Sequence, residues 1–176
     1  MRVTDDGRAG RPRVVALFTG GTISMRLDEA AGGAVPSLTA EEILAHARGI
    51  EHVADVVAEQ WGRHPGPHMT TARQWALRTR VAEHLADPTV AGVVLTHGTD
   101  TLEETAYLLA RSLPPDKPVV FTGAMRAASD LGYDGPQNLI DAVRVAAHPD
   151  ARGQGTLVCM GGEVLAALEH TKVHTH

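Results

Sequence analysis

This chain has one cysteine, no apolar run longer than a strand, no block of a single charge sign and no phosphate-cradling glycine motif. Each absence removes a class of function. Cys159 leaves no second thiol for an intramolecular disulfide, and its setting in Thr156-Leu157-Val158-Cys159-Met160 marks a small buried residue, not a nucleophile. The apolar stretches are strand-sized, so no membrane crossing is expected. Sixteen Lys and Arg are interspersed with 21 Asp and Glu, for a formal net charge of -5, which leaves no basic stripe for a nucleic-acid backbone. Neither G-x-G-x-x-G nor Gly-Lys-Ser/Thr occurs after a strand, so the dinucleotide fingerprint and the P-loop are both missing. Residues 1–13 carry charges without an apolar stretch of the secretory kind and read as a loose polar lead-in. A cytoplasmic setting follows as the default.

What is present is a chain of 176 residues, 43% apolar, long enough for one domain with a sizeable core. Val14–Phe18 is a continuous apolar run of the kind that forms a strand buried on both faces. Thr39-Ala40-Glu41-Glu42 opens a helix that Gly49 ends or interrupts. Asp55–Ala58 is a short second strand, and Arg63-His64-Pro65-Gly66-Pro67-His68 a loop. Thr70 or Thr71 caps a helix with apolar positions at Trp75, Leu77, Val81 and Leu85, ended by Pro88. Val90–Thr96 is a strand, Leu102–Ala110 a helix, Pro118–Thr122 a strand, Gln137–Ala147 a helix and Thr156–Met160 a last strand. Strands alternating with helices imply an α/β fold: a doubly wound, mostly parallel sheet flanked by helices.

Two of these strands run directly into threonine-bearing turns. Phe18 is followed by Thr19-Gly20-Gly21-Thr22, and Leu95-Thr96 by His97-Gly98-Thr99-Asp100-Thr101. Ligands of open parallel sheets bind beyond the carboxyl ends of the strands. Gly20 and Gly21 let backbone N–H groups approach a ligand closely. A threonine hydroxyl needs a base before it can attack, and Lys172, with Thr99 and Asp100, is a candidate relay. By spacing alone, Thr and Gly at strand ends serve equally well as turn formers.

Four segments, in order, resemble the bacterial-type L-asparaginase/glutaminase family. They are Thr19-Gly20-Gly21-Thr22-Ile23; Thr96-His97-Gly98-Thr99-Asp100-Thr101-Leu102-Glu103-Glu104-Thr105-Ala106; Pro118 to Arg126 with Asp134 to Leu139; and Thr171-Lys172. The likeness covers most of residues 14–176 and implies an asparaginase N-terminal-type catalytic domain. It implies Thr22 as the nucleophile that forms an acyl-enzyme, with Thr99, Asp100 and Lys172 as the second catalytic group and Lys172 tuning Thr99. Gly21, Gly98, Asp100 and His68 would bind the substrate, and backbone N–H groups around Gly21 and Thr99 would stabilise the oxyanion. L-asparagine would yield L-aspartate and ammonia, with no metal and no cofactor, in a homodimer or homotetramer.

The sequence departs from the family in three places. It stops at His176, so the second domain, which in relatives contributes to a neighbouring subunit's site, is expected to be absent. The loop Met25 to Leu38 lacks the family's assisting tyrosine; Tyr133 is a conceivable substitute, while Tyr107 reads as helix packing. The Ser-Gln pair that grips the substrate's α-carboxylate is replaced by Gly66-Pro67-His68, with Arg63 and His64 nearby, and cationic groups can bind a carboxylate instead.

Of the ten histidines, His170 and His174 are four apart and His176 follows, but no cysteine or carboxylate cluster joins them, so no metal site is expected. His97 reads as a structural hydrogen-bonding residue. Three functions stay open: an asparaginase, a hydrolase of another amide using the same Thr/Lys machinery, and an inactive small-molecule-binding module.

Overall fold

In the computed structural model, residues 10–169, 171 and 172 are described. The polar lead-in lies outside them as far as residue 9, and Arg13 already opens the first strand. The apolar runs form adjacent strands of one sheet: β1 (Arg13–Gly20), β4 (Asp55–His64), β5 (Val90–Thr96), β6 (Val119–Thr122), β7 (Thr156–Met160) and β8 (Glu163–Ala166). The sheet order is β4-β1-β5-β6-β7-β8, with β8 antiparallel to β7 and every other neighbour parallel. A separate hairpin pairs β2 (Met25–Asp28) with β3 (Gly33–Pro36).

Alternation along β1 explains why its whole run is apolar. Val14, Ala16 and Phe18 pack on one face with Ile43 of α1 (Ala40–His46) and Leu139 and Val143 of α4 (Gly135–Ala147). Val15 and Leu17 face the other way, against Leu77 and Val81 of α2 (Thr71–Ala86) and Leu102 and Leu109 of α3 (Leu102–Ser112). Two helices therefore cover each face, the doubly wound architecture. α1 starts at a reciprocal capping box: Thr39 Oγ1 accepts from Glu42 N at 3.2 Å and Glu42 Oε2 from Thr39 N at 2.8 Å. Thr70 caps α2, accepting from Arg73 N at 3.4 Å.

Several expectations need correction. Trp75 is 50% exposed and Tyr107 53% exposed, so neither packs a helix into the core. Each sits two residues from a buried leucine of its helix, Leu77 or Leu109, and two steps of about 100° turn a side chain to the far side. β4 runs beyond Ala58 to His64 and takes in the first two residues of the stretch read as loop, because an edge strand tolerates Glu59, Gln60 and Arg63 in its sequence. Glu59 is held by two 2.8 Å contacts from Arg80 and one of 2.9 Å from His84, and the Arg80 guanidinium keeps its carboxyl below the usual range. α4 begins at Gly135, with Pro136 in the first turn where its missing N–H costs nothing.

Buried Asn138 joins the site's supporting elements. Its Nδ2 donates to Gly123 O at 3.0 Å and to Asp134 Oδ2 at 2.9 Å, and its Oδ1 accepts from Gly161 N at 3.1 Å. These bonds tie the ends of β6 and β7 to the start of α4. Asn138→Leu keeps the volume but strands the Gly123 carbonyl and the Gly161 amide. The expected cost is about 2 to 4 kcal/mol, read from urea denaturation midpoints at unchanged m-value.

Candidate active site

The strand ends of β1, β4 and β5 meet through backbone. A Cβ on Gly21 would lie 2.5 Å from Gly98 Cα, and one on Gly98 would lie 2.6 Å from Gly66 Cα and 2.7 Å from Gly66 N. Gly21 also has φ 79°, a left-handed conformation that suits glycine. Just below this contact β1 and β5 are cross-bonded, Thr19 Oγ1 donating to Thr96 O at 2.7 Å and Thr19 N to Thr96 Oγ1 at 3.3 Å. Gly21 N donates to His64 O at 3.0 Å, and Thr101 Oγ1 donates to Gly66 O at 2.7 Å. Thr22 and Thr99 are the residues that directly follow the touching pair Gly21 and Gly98.

Thr22 opens a short 3₁₀ turn, Thr22–Ser24, and is partly buried. Ser24 Oγ, donating to Gly21 O at 2.8 Å, closes the turn from below. Tyr133 donates its hydroxyl to the carbonyl of Ile23, the residue after Thr22, and burial raises its phenol above the ordinary range. The expected auxiliary residue is thus placed as a brace for the Thr22 turn, with its proton already engaged. The Gly21 N–H expected near an oxyanion is likewise taken, by His64 O. Gly21 contributes close approach, not a free donor.

Around Thr99 the geometry is tighter. Lys172 Nζ lies 2.9 Å from Thr99 Oγ1 and 3.2 Å from Asp100 Oδ1, with the lysine side chain 24% exposed and the aspartate 58%. Gly123 backs the loop: a Cβ there would lie 2.7 Å from His97 O and 3.4 Å from Thr99 Cγ2. A cavity of about 350 Å³ adjoins this pair, lined by Thr99, Lys172, Asp134, Met125 and Met160 among others. Thr22 is not part of its lining.

His97 is fully buried against Phe121, with Nδ1 2.9 Å from Gly98 O, so the ring nitrogen facing that carbonyl carries the proton. Burial pushes its pKa down to about 4. A neutral ring fixed on the Gly98 carbonyl is the structural hydrogen-bonding role expected of it, not that of a base.

His68 ends a 3₁₀ turn, Gly66–His68, and its side chain is exposed, while Arg73 Nη1 donates to its carbonyl at 2.5 Å. A Cβ on Gly66 would lie 3.1 Å from Asp100 Cβ and Oδ2, so this turn borders Asp100. His64 stacks edge-on against Trp61, and burial, with Arg73 and His68 nearby, lowers its pKa. The turn that flanks the carboxylate thus has Gly66 and Pro67 in place of a polar pair.

The sequence reading missed Glu103, whose Oε2 accepts from Thr171 Oγ1 at 2.8 Å and from Lys172 N at 2.8 Å. Its place in the first turn of α3, three residues past Asp100, was the available signal. His170, His174 and His176 lie outside the described residues, and among those described no group of three or more His, Cys, Asp or Glu could hold a metal ion.

Residues 13–176 match the family described as Asparaginase, N-terminal. The chain is 41% identical to a probable L-asparaginase of Deinococcus radiodurans over 95% of its own length and 49% of that protein's. It is 38% identical to the glutaminase-asparaginase of Pseudomonas fluorescens, over 91% of this chain and 45% of the relative. The crystal structure of a probable cytoplasmic L-asparaginase from Campylobacter jejuni superposes with a TM-score of 0.85 at 33% identity, covering 94% of this chain and 49% of the other. A probable periplasmic L-asparaginase of Haemophilus influenzae is 37% identical. The chain spans about half the length of the curated relatives it matches.

Two expectations follow from the geometry. Gly98→Ala places a methyl against Gly66 backbone, which cannot swing aside, so a loss of about 3 kcal/mol or more is expected. Gly33→Ala, with nothing within 4 Å of the added methyl, should leave the denaturation midpoint nearly unchanged. His97 supplies the second. Its folded pKa of about 4 lies below the model-peptide 6.5, so the unfolded chain takes up the proton first as pH falls. Its contribution is therefore complete above pH 6.5 and lost progressively toward pH 4, amounting to about 3 kcal/mol at most. His97→Asn should flatten that part of a stability-against-pH curve.

Proposed function

The chain belongs to the asparaginase family, through that family's N-terminal domain, and on that footing we propose that it hydrolyses the side-chain amide of L-asparagine to L-aspartate and ammonia. The observation that carries the reading is the Lys172 ammonium placed 2.9 Å from Thr99 Oγ1 and 3.2 Å from Asp100 Oδ1. A lysine there, once neutral, can take a proton through the Thr99 hydroxyl, and the Asp100 carboxylate orients it. A module that only binds a ligand has no need of that contact.

In the proposed sequence the Thr22 oxygen attacks the amide carbonyl carbon, its proton passing to the departing nitrogen. The C–N bond breaks, ammonia leaves, and an acyl-threonine ester remains. A water molecule activated through Thr99 and Lys172 then attacks the ester carbon, releasing aspartate and returning the proton to Thr22. With the Gly21 N–H engaged, the Thr99 backbone N–H is the assigned donor to the oxyanion. Asp100 receives the substrate's α-ammonium, and His68, with the cationic groups of its loop, receives the α-carboxylate.

One observation favours a second reading, in which the same machinery acts on another amide. The turn that borders Asp100 offers Gly66 and Pro67 where the family has a polar pair, so the carboxylate grip has changed chemistry. We further propose a homodimer or homotetramer, because Tyr107, Val164, Leu165 and Leu168 are each about half exposed. A cytoplasmic setting is proposed by likeness to the probable cytoplasmic L-asparaginase of Campylobacter jejuni.

Ammonia release from L-asparagine, L-glutamine and simple amides, followed from about pH 6 to about pH 10, tests the reading. Release from asparagine should rise toward alkaline pH, vanish in Thr22→Ala, and fall by roughly 10²- to 10⁴-fold in Thr99→Val and Lys172→Met. No release from any amide by the folded chain would exclude both enzyme readings, and a monomer by light scattering would exclude the oligomer.

A further inference from the structure

We infer that Glu103 is the positioning residue that holds Lys172 against Thr99, an inference that rests on the role proposed for Lys172. Lysine has four side-chain torsions, so an ammonium is aimed reliably only if the backbone that carries it is fixed. The segment bearing Lys172 follows β8 and reaches the site from the far edge of the sheet. Glu103 supplies the fixed point. One carboxylate oxygen, Oε2, receives the Thr171 hydroxyl at 2.8 Å and the Lys172 backbone N–H at 2.8 Å, across 68 and 69 residues of sequence.

The two ends of Lys172 are thus gripped by one short stretch of chain. Its N–H rests on Glu103, and its Nζ meets Thr99 and Asp100 at 2.9 and 3.2 Å. Thr99 and Asp100 lie just before α3, and Glu103 is the second residue of that helix, so all three fall within five consecutive residues. A carboxylate accepting two donors makes charge-assisted bonds, stronger than a neutral acceptor would give. Its position in the first helical turn adds favourable interaction with the helix N-terminus. Glu104 occupies the same turn and offers the same helix electrostatics, but it is exposed and makes no bond to residues 171 or 172 among the contacts described. It is therefore an internal control: a role confined to stabilising α3 would be shared by both glutamates, and a positioning role belongs to Glu103 alone.

Two readouts separate positioning from fold maintenance. In asparagine hydrolysis, Glu103→Ala should lower kcat by roughly 10- to 100-fold with KM changed less than about threefold. Glu103→Gln, which keeps an acceptor oxygen, should recover most of that loss, and Glu104→Gln should have no effect. Added to Lys172→Met, Glu103→Ala should cost nothing further, because it acts through the lysine already removed. The second readout needs no turnover. Lys117 and Lys172 are the chain's two lysines, so ¹³C labelling at lysine Cε gives two side-chain signals, assigned with Lys117→Arg. The Lys172 signal should be motionally restrained in the parent chain and in Glu104→Gln, and should move to the averaged behaviour of an exposed lysine in Glu103→Ala. A Lys172 signal unchanged by Glu103→Ala, or a kcat loss that multiplies with that of Lys172→Met, would overturn the inference. A parent chain that releases no ammonia but still shows the restrained lysine and its release in Glu103→Ala would instead overturn the proposed function and leave the positioning intact.

Discussion

Gly21, Gly66 and Gly98 touch through backbone where β1, β4 and β5 end, and the rest of the site is arranged around that contact. Strands of a parallel sheet stand about 4.8 Å apart, and ordinary side chains at their ends would splay the loops that follow. With no Cβ at the three meeting points, the loops pack backbone to backbone, and Thr22 and Thr99 directly follow two of those points. The cross-bonds between Thr19 and Thr96 and the bond from Gly21 N to His64 O lock the three ends in register. Close approach has a consequence for chemistry as well. In the proposed mechanism, the Gly21 N–H, engaged by His64 O, is withdrawn from the oxyanion donors.

The second constraint is electrostatic. Lys172 is mostly buried beside Asp100, and Glu103 holds its backbone, so a long, flexible cation is presented at a fixed distance from a hydroxyl. His97 sits beneath the same loop but is kept neutral by burial, bonded to the Gly98 carbonyl. Gly66 borders Asp100 from the Gly66–His68 turn, which has glycine and proline where the family carries neutral polar side chains.

Much of this was legible in the sequence, for physical reasons. Runs such as Val14–Phe18 and Val93–Leu95 are apolar on both faces because helices cover both, and such runs are hard to mistake for anything but interior strands. The contact of Lys172 with Thr99 and Asp100 was legible through their motifs. What escaped was whatever depends on the third dimension. β4 was cut short since its outer residues, paired on one side only, include Glu59 and Arg63. The four-residue strands β2, β3 and β8 are too short to show a period, and β8 is exposed along its whole length. Trp75 and Tyr107 were placed inside on hydrophobicity alone, where their phase relative to Leu77 and Leu109 turns them outward. Glu103 was invisible as a positioning residue, because its partners lie 68 and 69 residues away and bond through a hydroxyl and a main-chain amide.

In the proposed mechanism Thr22 carries the acyl group and the Thr99–Lys172 pair delivers water to it. Partitioning with hydroxylamine tests this most directly, since a stronger nucleophile than water intercepts an acyl-enzyme. During asparagine turnover the account requires aspartyl hydroxamate to form at the expense of aspartate, without slowing ammonia release, and requires both products to disappear in Thr22→Ala. Ammonia released with no hydroxamate at any hydroxylamine concentration, or hydroxamate that persists in Thr22→Ala, would contradict it.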